Sequence, residues 1–279
     1  MAPWNRRAAV TGRTVAHVAS AVFREAVRDR VLYNLVGFAV ILIGCSLLVG
    51  QLTAGQDVKI VKDLGLAAMS LFGLFIAVFI GIGLVSKEVE RRTIYSLLAK
   101  PVRRSELVIG KYAGLVLTVL VNLAVMGAMV FVVLAWVSWG QPPDVRRAWE
   151  APATDPRLLV AMFLVFVELA LVIAVALFFS TFTGPLTAAV CTIALFAAGH
   201  FSADLQHIGA VLRSPAVSGA ARGLYHVLPD FVLFDVKAAV VHGWPVPAGR
   251  IAYASAYAGL YTFGLLLLAM LIFSRRDFR

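Results

Sequence analysis

The residues that could do chemistry are few, and most of them sit where charge is costly. Glu168 is a lone carboxylate in the middle of a long apolar run. An acid at such a depth in hydrocarbon faces protein or a watery cavity. Two roles fit it: a polar group on a transport path, or a structural hydrogen bond, ionised or protonated, to a neighbouring helix. His200, Asp204 and His207 recur at i, i+4 and i+7 and so share one helical face. Imidazole and carboxylate at that spacing are ligand types for a transition metal. The plainer reading is a polar helix end at an interface, and no metal is expected. Neither a His-Glu-x-x-His pair nor a Gly-x-Ser-x-Gly elbow occurs, which leaves a zinc protease or serine hydrolase without its machinery. Gly110-Lys111 is the only Gly-Lys pair and no glycine-rich run precedes it, so the chain itself carries no phosphate-binding loop. A non-catalytic protein is expected.

Composition explains why polar groups are so scarce. The 279 residues are 61% hydrophobic and 14% charged, whereas soluble domains are near-evenly apolar and about a quarter charged. A soluble fold of this length leaves too much surface to solvate for so many apolar side chains to be hidden. Lipid is the solvent this sequence calls for. The net charge of +10 suits nucleic acid or anionic lipid, but Lys and Arg gather at the ends of apolar runs, which favours membrane over nucleic acid. Cys45 and Cys191 both lie inside apolar runs and suggest no disulfide framework.

Six runs approach the ~20 residues needed to cross a hydrocarbon core of ~30 Å: Leu32 to Leu52, Leu64 to Val85, Tyr112 to Trp139, Leu158 to Phe182, Leu186 to Ala203 and Ile251 to Phe273. The fifth is the shortest, opening just after Pro185 and ending at Asp204. In lipid the backbone must satisfy its own hydrogen bonds, so these are helices, and barrel alternation is absent. The expected fold is all-α: a polytopic membrane protein with six transmembrane helices. The first run follows a basic leader with no small-residue cleavage pattern, and reads as a retained span. The leader, the second loop and the tail together hold 16 of the 25 Lys and Arg residues. By the positive-inside rule that side is cytoplasmic, and both termini lie on it. Trp136, Trp139, Trp149 and Trp244 fall on the other side, two of them at the interfacial end of the third span. Residues 204–250 are too apolar for a plain solvated loop and are broken by Pro229, Asp230 and Asp235. They read as short outer-leaflet or re-entrant helices, with a seventh span as the alternative.

Two stretches at the cytoplasmic edge are more than connectors. Within residues 14–30, Val15, Val18, Ala19, Val22, Phe23, Ala26 and Val27 form one apolar stripe, opposite His17, Ser20, Arg24 and Arg28. Such a helix lies in the interface with its apolar side toward acyl chains. It serves as a simple anchor or as an elbow that transmits motion. Residues 86–111 read as a helix, a turn at Pro101 and a second helix capped by Ser105 with Glu106 in its first turn. Ile94, Leu97 and Leu98 make an apolar knob rimmed by Glu88, Glu90, Arg91 and Arg92. That pattern suits transient docking, or an ordinary loop whose arginines snorkel to lipid phosphates.

The run Glu88-Val-Glu-Arg-Arg-Thr-Ile-Tyr-Ser-Leu-Leu-Ala-Lys-Pro-Val-Arg-Arg104 with Gly110-Lys111 resembles the loop signature of ABC-2-type transporter permeases, with Arg92 where the family often has glycine. The leader Phe23-Arg-Glu-Ala-Val-Arg-Asp-Arg30 and the tail Phe273-Ser-Arg-Arg-Asp-Phe278 are similar to the same family. Leu228-Pro-Asp-Phe-Val-Leu-Phe-Asp-Val-Lys237 resembles its NosY-like branch. The resemblance implies a single transmembrane domain over 1–279, the membrane-spanning subunit of an exporter in a bacterial inner membrane. It further implies a second permease subunit, identical or not, and a separate cytosolic ATPase that binds ATP and Mg. Glu88, Glu90, Arg91 and Arg92 would meet that ATPase or brace the elbow, and Ile94, Leu97 and Leu98 would pack on it. An ion-gradient-driven secondary transporter is the alternative; it calls for several intramembrane acids and a repeat, and Glu168 stands alone. From the charge pattern, a reporter active only in the cytoplasm is expected to work when fused after Arg279 and to fail when inserted near Asp144, as cell fluorescence would show.

Overall fold

A backbone with no water to bond must close its hydrogen bonds locally, and this chain does so with helices. The computed structural model describes residues 3–52, 57–90, 104–147, 149–201 and 228–275. Among these, all regular structure is helical: α1 (Pro3–Val27), α2 (Arg30–Leu52), α3 (Asp57–Glu90), α4 (Arg104–Gly140), α5 (Pro143–Arg147), α6 (Arg157–Ser180), α7 (Pro185–His200), a 3-10 turn (Val232–Phe234), α8 (Lys237–Val241) and α9 (Ala248–Arg275).

Each expected apolar run has its described central part on a helix, but the helices are unequal. Four are long and apolar enough to cross a membrane, over Asp57–Ile82, Ser105–Gly140, Arg157–Ser180 and Ala248–Ile272, and a fifth is reached if Gly12–Val27 and Leu32–Leu48, bent by 63°, count as one. At 16 residues, α7 is about 24 Å long and falls short of a ~30 Å core. By length alone the described helices therefore support four or five spans. The excess lies in α3 and α4, at 34 and 37 residues. Each runs about 50 Å or more, well beyond a bilayer core.

The molecule is organised around α6. It packs against α3, α4, α7 and α9, and Leu164, Leu169, Leu171, Val172, Ile173 and Ala174 are fully buried. Glycines set the closest crossings. A Cβ on Gly73 of α3 would lie 2.4 Å from Leu169 Cδ1, and one on Gly127 of α4 would lie 3.0 Å from Met162 Sδ. Without hydrophobic drive between helices in lipid, such small-residue contacts supply the van der Waals gain that holds spans together. Polar side chains inside α4 bond to their own helix: Thr118 Oγ1 donates to the Gly114 carbonyl at 2.9 Å and Asn122 Nδ2 to the Thr118 carbonyl at 2.7 Å. At the periphery, α9 exposes Leu260, Phe263, Leu267 and Leu271 at helical spacing, as a lipid-facing stripe does.

The leader folds as a helix, and its apolar stripe faces protein where the sequence suggested acyl chains. Val22 and Ala26 are buried, and α1 lies along α4. Gly110 and Gly114 open the groove for it. A Cβ at Gly110 would sit 2.7 Å from Val18 Cβ, and one at Gly114 would sit 2.7 Å from the Ala19 carbonyl oxygen. Two glycines four apart on one helix face let the backbones approach this closely. The opposite face, with His17, Arg24 and Arg28, is exposed.

The rest of the outer segment that the structure describes, residues 228–241, is wedged among the helices. The 3-10 turn touches α6 and α9, and α8 touches α3 and α6. Phe231 and Phe234 are fully buried. Gly114→Leu is expected to force α1 off α4, lowering thermal stability by about 1–3 kcal/mol, as overpacking does. Gly37→Ala, where nothing lies within 4 Å, should match the parent in the same melting experiment.

Candidate functional site

The polar residues of the apolar interior gather where α6, α7 and the outer segment meet. Glu168 sits mid-way along α6, its side chain 3% exposed, and its Oε1 lies 3.4 Å from His200 Nε2 at the end of α7. That oxygen has no hydrogen-bond partner among the described atoms. The other ring nitrogen, His200 Nδ1, is 3.3 Å from the Phe196 carbonyl oxygen. The imidazole packs against two aromatic rings whose centroids are themselves 5.1 Å apart. Phe196 lies 4.5 Å away, and Phe231 stacks on it at 5.7 Å with an interplanar angle of 14°.

The outer segment is placed here by contacts that only small or polar residues allow. Gly199 leaves room for residues 229–231: a Cβ there would be 2.4 Å from the Pro229 carbonyl oxygen and 2.5 Å from the Phe231 ring. The Phe231 amide donates to the Gly199 carbonyl at 3.4 Å, and the Asp230 amide to the Tyr257 hydroxyl of α9 at 3.0 Å. Asp230 Oδ1 accepts from the Val232 amide at 3.1 Å and starts the 3-10 turn. Lys237 Nζ donates to Ser70 Oγ of α3 at 3.2 Å. Tyr257 and Ser70 lie about 14 and 20 Å along their helices from the ends nearest the tryptophans, so the segment reaches deep between them.

A second polar cluster fastens the same end of the bundle at its surface. Lys59 Nζ is 2.7 Å from Glu150 Oε1, and His242 Nδ1 is 3.4 Å from Glu150 Oε2. The Lys59 hydrogen bond, and then that of His242, hold the Glu150 carboxyl below the usual carboxylate range. Lys62 is fully buried and donates to the Pro152 carbonyl at 2.7 Å, so its ammonium has the partner that a buried charge needs. The Arg157 guanidinium donates to the Gly243 carbonyl, tying the start of α6 to the chain just after α8.

Of the residues singled out from the sequence, the structure brings Glu168 and His200 together. Asp204 and His207 lie outside the described residues, and among those described no group of three or more side chains could hold a metal ion. Glu88 and Glu90 fall on the last turn of α3. Arg91, Arg92, Ile94, Leu97 and Leu98 lie outside the described residues. Sequence reasoning missed Lys62, Lys237 with Ser70, Tyr257, and the glycines at 110, 114 and 199. The Gly-x-x-x-Gly spacing from 110 to 114 was the one signal that could have been read. The others depend on which helices are neighbours.

Gly199→Ala should lift the outer segment from α7, because its Cβ meets backbone at Pro229 that has no rotamer to yield. Tryptic cleavage after Lys237, followed by mass spectrometry, is expected to run several-fold faster than in the parent. Gly259→Ala, in open space, should cleave at the parental rate.

Helices of span length, the basic loop after α3 and the close-packed leader all suit a transporter's membrane subunit, and a family comparison bears on the same point. The model for the ABC-2 family transporter protein matches residues 17–278. No curated protein matches the chain. With nearly its whole length matched, this chain belongs to the ABC-2 transporter family, the multi-pass membrane component of an ATP-binding cassette transporter.

Proposed function

We propose that the chain is the permease subunit of an ATP-binding cassette exporter, forming the translocation path and receiving force from a separate cytosolic ATPase. ATP and Mg would bind in that partner. The chain would work beside a second permease subunit in a bacterial inner membrane, with six spans and both termini cytoplasmic. On this reading α2 crosses on its own, and the run from Leu186 to Ala203 that contains α7 is the fifth span. The outer segment resembles that of the NosY-like branch, and we take the chain to belong there.

The observation that carries this reading is the length and partnership of α4. Trp136 and Trp139 are exposed at one end of it, where aromatic side chains mark an interface. A hydrocarbon core of ~30 Å takes about 20 residues inward from there. The stretch from Arg104 to about Leu115 is then left beyond the opposite interface. Gly110 and Gly114, on that projecting stretch, are the positions that receive α1. A push on the loop between α3 and α4 would therefore reach α1 through rigid helix, and through α1 the start of α2. In this scheme Glu88, Glu90, Arg91 and Arg92 meet the ATPase, Ile94, Leu97 and Leu98 pack against it, and Arg24 and Arg28 hold the elbow at the lipid headgroups. Glu168, the buried acid of α6, is a candidate polar group on the transport path.

Glu88→Ala combined with Arg91→Ala is expected to leave the protein inserted in the membrane but to reduce the co-purifying ATPase several-fold. An undiminished yield of ATPase with the variant would show that force enters elsewhere.

A further inference from the structure

The contact between Glu168 and His200 is chemically incomplete as drawn by its heavy atoms, and what it lacks is a hydrogen. A carbonyl oxygen only accepts, so the approach of His200 Nδ1 to the Phe196 carbonyl at 3.3 Å requires Nδ1 to carry the ring proton. In the neutral ring, Nε2 is then a bare lone pair. It faces Glu168 Oε1 at 3.4 Å, and that buried oxygen has no hydrogen-bond partner among the described residues. Two acceptors do not attract one another, and a carboxylate left unpaired at this depth is costly. One added proton resolves the conflict, whether it resides on the acid, which then donates to Nε2, or on the ring, which then donates to the carboxylate.

We propose that Glu168 and His200 form a binding site for a single proton at the junction of α6 and α7, and that this proton holds the outer segment in place. His200 is the platform on which Phe231 stacks, and the Gly199 carbonyl beside it receives the Phe231 amide. Freed of the proton, the carboxylate and ring nitrogen repel, the end of α7 loses its tie to α6, and residues 228–241 lose their seat. Among the described residues, no other polar group hydrogen-bonds to Glu168 Oε1. Within the outer segment, Lys237 donates its ammonium to Ser70 of α3, while Asp230 and Asp235 are acceptors that bond backbone amides. On α9, the Tyr257 hydroxyl accepts from the Asp230 amide, and Tyr261 lies one turn further on against Tyr257. On α3, the Lys62 ammonium is committed to the Pro152 carbonyl. This inference concerns a site that the coupling scheme does not use and stands independently of it.

The test uses the full-length chain in lipid nanodiscs, compared with Glu168→Gln and His200→Phe. A glutamine amide donates to Nε2 permanently and does not titrate, so Glu168→Gln replaces the proton without losing the bond. Above the ordinary imidazole value of about 6.5, the separated side chains hold no proton and the joined pair holds one, so the folded state binds more protons and stability falls as pH rises. The wild-type melting temperature is expected to drop by about 3 °C per pH unit from pH ~7 upward. Glu168→Gln should match wild type at pH ~6 and lack this slope, and His200→Phe should melt lower at pH ~6. Hydrogen exchange at the Phe231 amide, compared at one alkaline pH, should be several-fold faster in wild type than in Glu168→Gln. A Glu168→Gln protein that keeps the wild-type slope, or equal exchange in the two, overturns the proposal. If His200→Phe does not fold, the comparison of wild type with Glu168→Gln still decides it.

Discussion

Hydrocarbon offers no hydrogen-bond partner, and nearly every feature of this protein answers to that constraint. It makes the backbone helical, and it removes the hydrophobic drive that would otherwise press helices together, leaving close packing to do so. The helix that depends most on such packing is α6, which touches α3, α4, α7 and α9 and whose polar group, Glu168, has to be provided for from outside its own helix. The glycines at 73 and 127 are set at its crossings because a side chain there would collide with Leu169 and Met162. Thr118 and Asn122 are tolerated nearby because each bonds back to its own helix.

The same constraint separates the two ends of the bundle. At the end marked by the tryptophans, polar anchors are many: Lys59 and His242 on Glu150, Lys62 on Pro152, Arg157 on Gly243, Lys237 on Ser70. They draw residues 228–241 and the loop before α6 into one cap over α3 and α6. At the other end the helices outrun the bilayer. Glycine-mediated packing of α1 on α4 does the joining there, at Gly110 and Gly114. A firmly tied cap and a projecting pair of helices are the arrangement that the proposed lever would need.

The legibility of the protein followed the range of the physics involved. Helices α2, α3, α4, α6 and α9 could be read from the sequence, because a run of apolar residues states its own solvent. The stripe from Val15 to Val27 also announced a helix, but its partner could not be read, since an apolar face looks the same whether it meets acyl chains or a glycine groove. Of the polar constellation at His200, Asp204 and His207, the helical spacing was legible and the relevant neighbour was not. Glu168 lies 32 positions away in the chain, and no periodicity links them.

What the sequence determined by itself is therefore the solvent, the helical class, the basic edge and the loop signature of the family, all of which are properties of short segments and of composition. Only the tertiary structure decided that the leader's stripe is received by Gly110 and Gly114, that Gly199 seats residues 229–231, and that Glu168 meets His200 beneath Phe231. Each of these depends on which helix faces which, and that is settled by close approach between residues far apart in the chain, where a missing Cβ or a single unpaired oxygen decides which neighbour fits.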